Sequence, residues 1–170
     1  MLYLYSMSAT SSRALRHMAW ANQRVYDSLQ GLPDGALDAY MVNPEWSARR
    51  ILQHIVSGAD WYVYCLTGAM WSEVPTPSVI ADVPALARTL AEFDAAILSQ
   101  SELPDDFLTI KEDEKSWQNL RSTLLAQAVH HATEHRAQLI DALESRGFTP
   151  INLDDIDFWA FERFEKEAGK

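Results

Sequence analysis

The chain contains one cysteine, Cys65, in 170 residues. A single thiol cannot close an intrachain disulfide or build a multi-thiolate zinc or iron–sulfur site, and it suits a reducing cytoplasm. Glycine is scarce too. The six present form no glycine-rich phosphate loop or dinucleotide fingerprint. Basic residues are outnumbered, 14 Lys plus Arg against 24 Asp plus Glu, for a formal charge of -10. That sign repels nucleic-acid backbones and anionic membrane surfaces, so neither is expected as a partner. No apolar run approaches the roughly 20 residues that span a bilayer. Met1–Met7 is apolar but has no basic start, and it reads as a short, weakly structured lead-in rather than a secretion signal. The H-E-x-x-H helix of zinc proteases, the Glu-x-x-His pairing of carboxylate-bridged di-iron bundles and nucleophilic Ser or Cys motifs are all missing. Cys65 therefore reads as a small buried hydrophobe.

Apolar residues, by contrast, are plentiful at 48%, with 11% aromatic, enough to fill one core without staples. Residues 1–170 are expected to form a single domain. Leu15, Met18, Ala19, Asn22, Val25, Tyr26 and Leu29 recur at helical spacing, which predicts a first helix over Ser12–Leu32, ended by Gly31 and Pro33. His17 falls off that stripe and reads as a solvated surface histidine. A second helix, Ala48–Leu66, follows an N-cap at Ser47 and exits at Gly68, with Ile51, Ile55, Tyr62 and Leu66 inward. At about 100° per residue, His54, Gly58, Trp61 and Cys65 line one flank of its stripe. Pro75, Pro77 and Pro84 precede a third helix, Pro84–Ser101, whose inward row is Leu86, Leu90, Phe93 and Ile97, with Asp94 at its edge. Residues 103–115 suit a loop or a short strand pair, and with loop 67–83 they are expected to shape a pocket mouth. Ser116 offers an N-cap to the longest helix, Trp117–Ser145. Asp154 or Asp155 is expected to cap a last helix carrying Phe158, Trp159, Phe161 and Phe164 on more than one face. Packing over the end of the molecule and a subunit contact both account for that spread.

The histidines carry the chemistry. His131 and His135 lie four apart on one helix, with Cβ atoms about 5–6 Å from each other, so both rings can reach one metal ion. Such a pair can equally be a set of core groups bonded to each other or to a carbonyl. His54, on the inward flank of another helix, adds a third imidazole. Three neutral rings meeting at one point would leave a coordination position open, which is how reactive metal sites are built. His130 is about 100° further round the helix, exposed or a neighbour of the ligands. Glu134 borders the same arc and reads as a surface carboxylate, or else as an acceptor for a ring N–H or a base. Asn22 needs a partner if buried; it orients something near the site or ties helices together.

These segments resemble the DinB-like, or YfiT-like, family of metal-dependent enzymes over most of the chain. The first is Met18-Ala-Trp-Ala-Asn-Gln-Arg-Val-Tyr-Asp. The second is Trp46-Ser47 followed by Ile51-Leu-Gln-His-Ile-Val and Ala59-Asp-Trp. The third, and most specific, is His131-Ala-Thr-Glu-His135-Arg-Ala-Gln-Leu, which is similar to the family's H-x-x-x-H-R-G-Q pattern with Ala137 in place of the glycine. The resemblance implies an all-α fold, an up-down-down-up four-helix bundle with an extra short C-terminal helix, that often dimerises. It implies His54, His131 and His135 as ligands of a divalent metal, usually nickel or zinc. Gln138 is then a packing residue or a hydrogen-bonding neighbour of those ligands. The activity implied is transfer using a low-molecular-weight thiol, or hydrolysis with water activated in its place. A noncatalytic metal-binding or interaction module is the alternative.

Overall fold

Where apolar residues recur every third or fourth position, the chain is helical. The computed structural model describes residues 2–169, with side chains described from Thr10 to Gly169. The expected lead-in over Met1–Met7 is not weakly structured where it is described: the first helix already begins at Leu2 rather than at Ser12. Helix α1 spans Leu2–Ser28, α2 Ala48–Thr67, α3 Val83–Ser99, α4 Arg121–Glu144 and α5 Phe158–Ala168. Leu15, Met18, Val25 and Tyr26 of α1 are buried as their spacing requires, and the Tyr26 hydroxyl donates to the Leu52 carbonyl at 2.7 Å. Helix α2 ends at Gly68, whose φ of 75° lets its N–H turn back to the Tyr64 carbonyl at 2.8 Å. Helices α1 and α2 do not pair most closely with each other: each packs against both α3 and α4. No helix among the described residues is long and apolar enough to cross a membrane.

The fold is mostly helical rather than all-α, because a β-hairpin stands ahead of α4. Strand β1, Phe107–Glu112, pairs antiparallel with β2, Lys115–Leu120, in the register Ile110↔Trp117 and Glu112↔Lys115. Asp113 takes the left-handed conformation in the turn, φ 51°. This corrects the expected start of the longest helix. Ser116 is not its N-cap and Trp117–Leu120 is strand, because pairing with 107–112 claims those backbone groups first. Helix α4 starts at Arg121, where Asp105 accepts from the backbone N–H and hydroxyl of Ser122, both at 2.8 Å, and the Asp106 carbonyl accepts from Arg121 N–H at 3.0 Å. Ile110, 2% exposed, anchors the hairpin to the core.

Two further expectations are revised at the C-terminal end. Asp157, not Asp154 or Asp155, caps α5 by accepting from Ala160 N–H at 2.7 Å. Asn152 and Asp155 cap a separate short turn, Leu153–Asp155, just before it. His17 is buried rather than solvated. Helix α5 covers that side of α1, and the His17 ring stacks on Phe158 at 4.0 Å and donates from Nε2 to the Ile156 carbonyl at 2.8 Å.

Candidate metal centre

The direct packing of α2 on α4 puts His54 opposite His131 and His135. One nitrogen from each ring lies within 4.8 Å of the others, and all three side chains are half-buried. Nε2 of His131 faces Nε2 of His54 at 3.1 Å. Ring centroids are 5.0 Å apart for His54–His131, 4.5 Å for His54–His135 and 4.4 Å for His131–His135.

Two residues that the sequence reading names without giving them a role make this approach work. Gly58 follows His54 by one turn of α2, and a Cβ there would lie 2.2 Å from Cε1 of His131. Only glycine leaves room for the ring. A glycine inside a helix costs about 1 kcal/mol relative to alanine, so its presence mid-helix is the signal that something must approach closely. Trp46, ahead of α2, sets its ring edge-on to His54 at 5.1 Å and to His135 at 5.7 Å. Its indole N–H donates to Oε1 of Gln138 at 2.9 Å, and the same oxygen accepts from Nδ1 of His135 at 2.9 Å. A ring that donates through Nδ1 in its neutral form presents a bare lone pair at Nε2. Gln138 thus fixes the tautomer of His135.

Electrostatics favour the same neutral form. Burial, then the neighbouring His135, then Arg50, lower the His54 pKa below its usual value. Burial, then His135 and His54, bring His131 down to about 4. Neutral imidazole is the form that binds a cation, so the donor set fits a divalent metal.

The other expected residues stand at different distances from this point. Glu134 and His130 are exposed, and Glu134 does not join the three rings. Asn22 is buried and makes no hydrogen bond to any of them. Its amide joins α3 to α4 instead, donating to Oδ2 of Asp94 at 2.9 Å and accepting from Nη1 of Arg136 at 2.6 Å. Burial, opposed by the Asn22 hydrogen bond and Arg136, pushes the Asp94 carboxyl up to about 6; burial, opposed by Asp94, brings Arg136 down to about 10. Burial, then Glu112, pushes the Cys65 thiol up to about 11, against a weaker lowering by a backbone hydrogen bond, so it is no reactive thiolate. Of loop 67–83, Trp71 packs on Trp61 at 4.5 Å, three residues along α2 from Gly58. From the hairpin, the Lys111 carbonyl accepts from the Tyr64 hydroxyl.

No curated protein and no solved structure matches the chain. The family model described as "DinB family" matches residues 7–167, a span that includes α2 and α4 with all three histidines. The chain belongs to the DinB family.

Proposed function

We propose that this DinB-family chain is a metal-dependent enzyme whose divalent cation, nickel or zinc, is held by His54, His131 and His135. The observation that carries the proposal is the convergence of three imidazole nitrogens from two helices within 4.8 Å of one another. Three such donors leave a fourth position for a reacting group. When bound, the cation supplies Lewis acidity, which lowers the pKa of a thiol or water beside it. The chain's own residues do the positioning. Gln138 and Trp46 hold His135, Gly58 admits the His131 ring, and burial keeps His54 and His131 unprotonated. A low-molecular-weight thiol is the favoured cosubstrate, for transfer to an electrophile, and water is the alternative, for hydrolysis.

The same reading treats residues 1–170 as one domain, with α1–α4 as an up-down-down-up four-helix bundle and α5 as the short addition at its end. The packing of α1 and of α2 each on both α3 and α4 supports it. Helix α5 keeps Phe161 buried but leaves Trp159 74% exposed, with Phe158 and Phe164 at 45% and 46%. Exposed aromatics in one place support a homodimer with α5 in the contact. The buried lone thiol of Cys65 fits a cytoplasmic protein.

Elemental analysis of protein purified without a metal-binding affinity tag tests the centre. About one nickel or zinc per chain is expected, and His54→Ala and His131→Ala are expected to lose it. Loading unchanged in both variants removes the proposal. With metal in place, a thiol and an electrophile should give a conjugate whose formation stops on chelation. Metal retained without turnover across thiols or hydrolysable substrates would leave the noncatalytic module.

A further inference from the structure

Asp94 enters the interior from α3 and is 1% exposed. Its Oδ2 accepts from Asn22, while its Oδ1, equally enclosed, has no hydrogen-bond partner in the protein. A buried carboxylate oxygen in that position bears its full desolvation penalty, and native structures seldom leave such an atom unpaired. A cavity of about 10 Å³ adjoins it, lined by Asn22, Tyr62, Asp94, Ala128 and His131 among others. Such a volume holds about one water molecule. His131 stands on its wall, and its one hydrogen bond among the described residues is the Nε2 contact with His54. If Nε2 is the ligand atom, the ring proton sits on Nδ1 and needs an acceptor.

We propose that this cavity is a single-water site in which the water donates to Oδ1 of Asp94 and accepts from Nδ1–H of His131. The His131 half rests on the metal reading above; the Asp94 half does not. Asp94 is then a positioning residue. Through the water it steadies His131, and through Asn22 it is tied to Arg136 of the same helix α4.

Crystals of the full chain, metal-free and zinc-loaded, at a resolution that shows ordered water, test the site. A peak is expected within about 2.6–3.2 Å of both Asp94 Oδ1 and His131 Nδ1. A cavity without water density, or one that takes up xenon, overturns the proposal. Zinc titration of two variants gives a second readout. Asp94→Asn can serve Asn22 with its carbonyl and the water with its amide, so it should keep the peak and bind zinc within about threefold of wild type. Asp94→Leu should lose the peak and bind zinc about tenfold more weakly or worse. An unchanged peak and unchanged affinity in Asp94→Leu overturn the link. Should that variant fail to fold, the wild-type density and Asp94→Asn decide. Should the wild type bind no zinc, the metal reading fails alone, and the metal-free density still decides the Asp94 contact.

Discussion

Two places in this molecule bury histidine against a neighbouring helix, and they end differently. Under α5, His17 gives its Nε2 proton to the Ile156 carbonyl at 2.8 Å and stacks on Phe158. There the ring proton ends on a protein carbonyl. Between α2 and α4, His54 and His131 point ring nitrogen at ring nitrogen, with His135 alongside. A neutral imidazole has one proton and one lone pair, so three rings that keep their protons on the outer nitrogens, as His135 does toward Gln138, turn three lone pairs toward one point. Burial therefore does not separate the two regions. What separates them is whether the ring nitrogens end on a carbonyl or on each other, and only the second arrangement calls for a cation.

Gly58→Ala is the sharpest way to break this contrast. The added Cβ would sit 2.2 Å from Cε1 of His131, and the ring is the part that can move. The variant is expected to weaken zinc binding on the order of a hundredfold, since the ring that must shift is a ligand. In the metal-free protein its thermal midpoint should stay level or rise, because alanine gains about 1 kcal/mol of helix propensity over glycine. Zinc titration and thermal melts read the two effects separately. Zinc affinity within twofold of wild type would show that the place of the His131 ring does not matter to binding.

Gln138→Leu should produce a smaller loss. It removes the oxygen that accepts from both Trp46 and His135 and frees the ring to turn or change tautomer. About a tenfold drop in zinc affinity is expected. Gln138 is exposed, so stability should move by less than about 1 kcal/mol. Gln138→Glu retains an acceptor and should bind zinc at least as well as wild type. If leucine and glutamate behave alike, the hydrogen bond does not orient His135.

Local pattern carried much of this site, and distant pairing supplied the rest. His131 and His135 are four apart on a helix that formed as its spacing required, and angular position put His54 on the inward flank of α2. Those are properties of single helices. Trp117–Leu120 reads as helix because Ser116 resembles a helix cap, whereas the interaction that wins is with 107–112 across the hairpin. His17 reads as solvated for a related reason. Its position off the α1 stripe is real, but a helix more than a hundred residues later in the chain covers it. Trp46 and Gln138 stand 92 positions apart, and no periodicity connects an indole in a loop to an amide on a helix. Gly58 is the intermediate case: visible as a helix glycine, but explained only by the ring of another helix.

The smallest effect expected is at the other buried histidine, where pH rather than metal is the probe. Burial lowers the His17 pKa from 6.5, the Ile156 carbonyl opposes this, and Arg136 and Asp157 act in opposite senses behind them. The folded value lies below the unfolded one, so between them the unfolded chain binds more protons. The stabilisation from a neutral His17 is present above the unfolded pKa and is lost as pH falls through the lowered folded value. His54 and His131 titrate with the same sign, so wild type alone cannot isolate the effect. His17→Phe keeps an aromatic ring against Phe158 and removes both the proton and the hydrogen bond to Ile156, a loss of about 1 kcal/mol near neutrality. In metal-free protein, urea unfolding should show that difference shrinking as the pH is lowered below 6.5, while contributions from the other histidines cancel between the two proteins. Zinc affinity should be the same in both. A difference constant with pH would mean that His17 titrates alike in the folded and unfolded states, and a change in zinc affinity would mean that the two histidine regions are coupled.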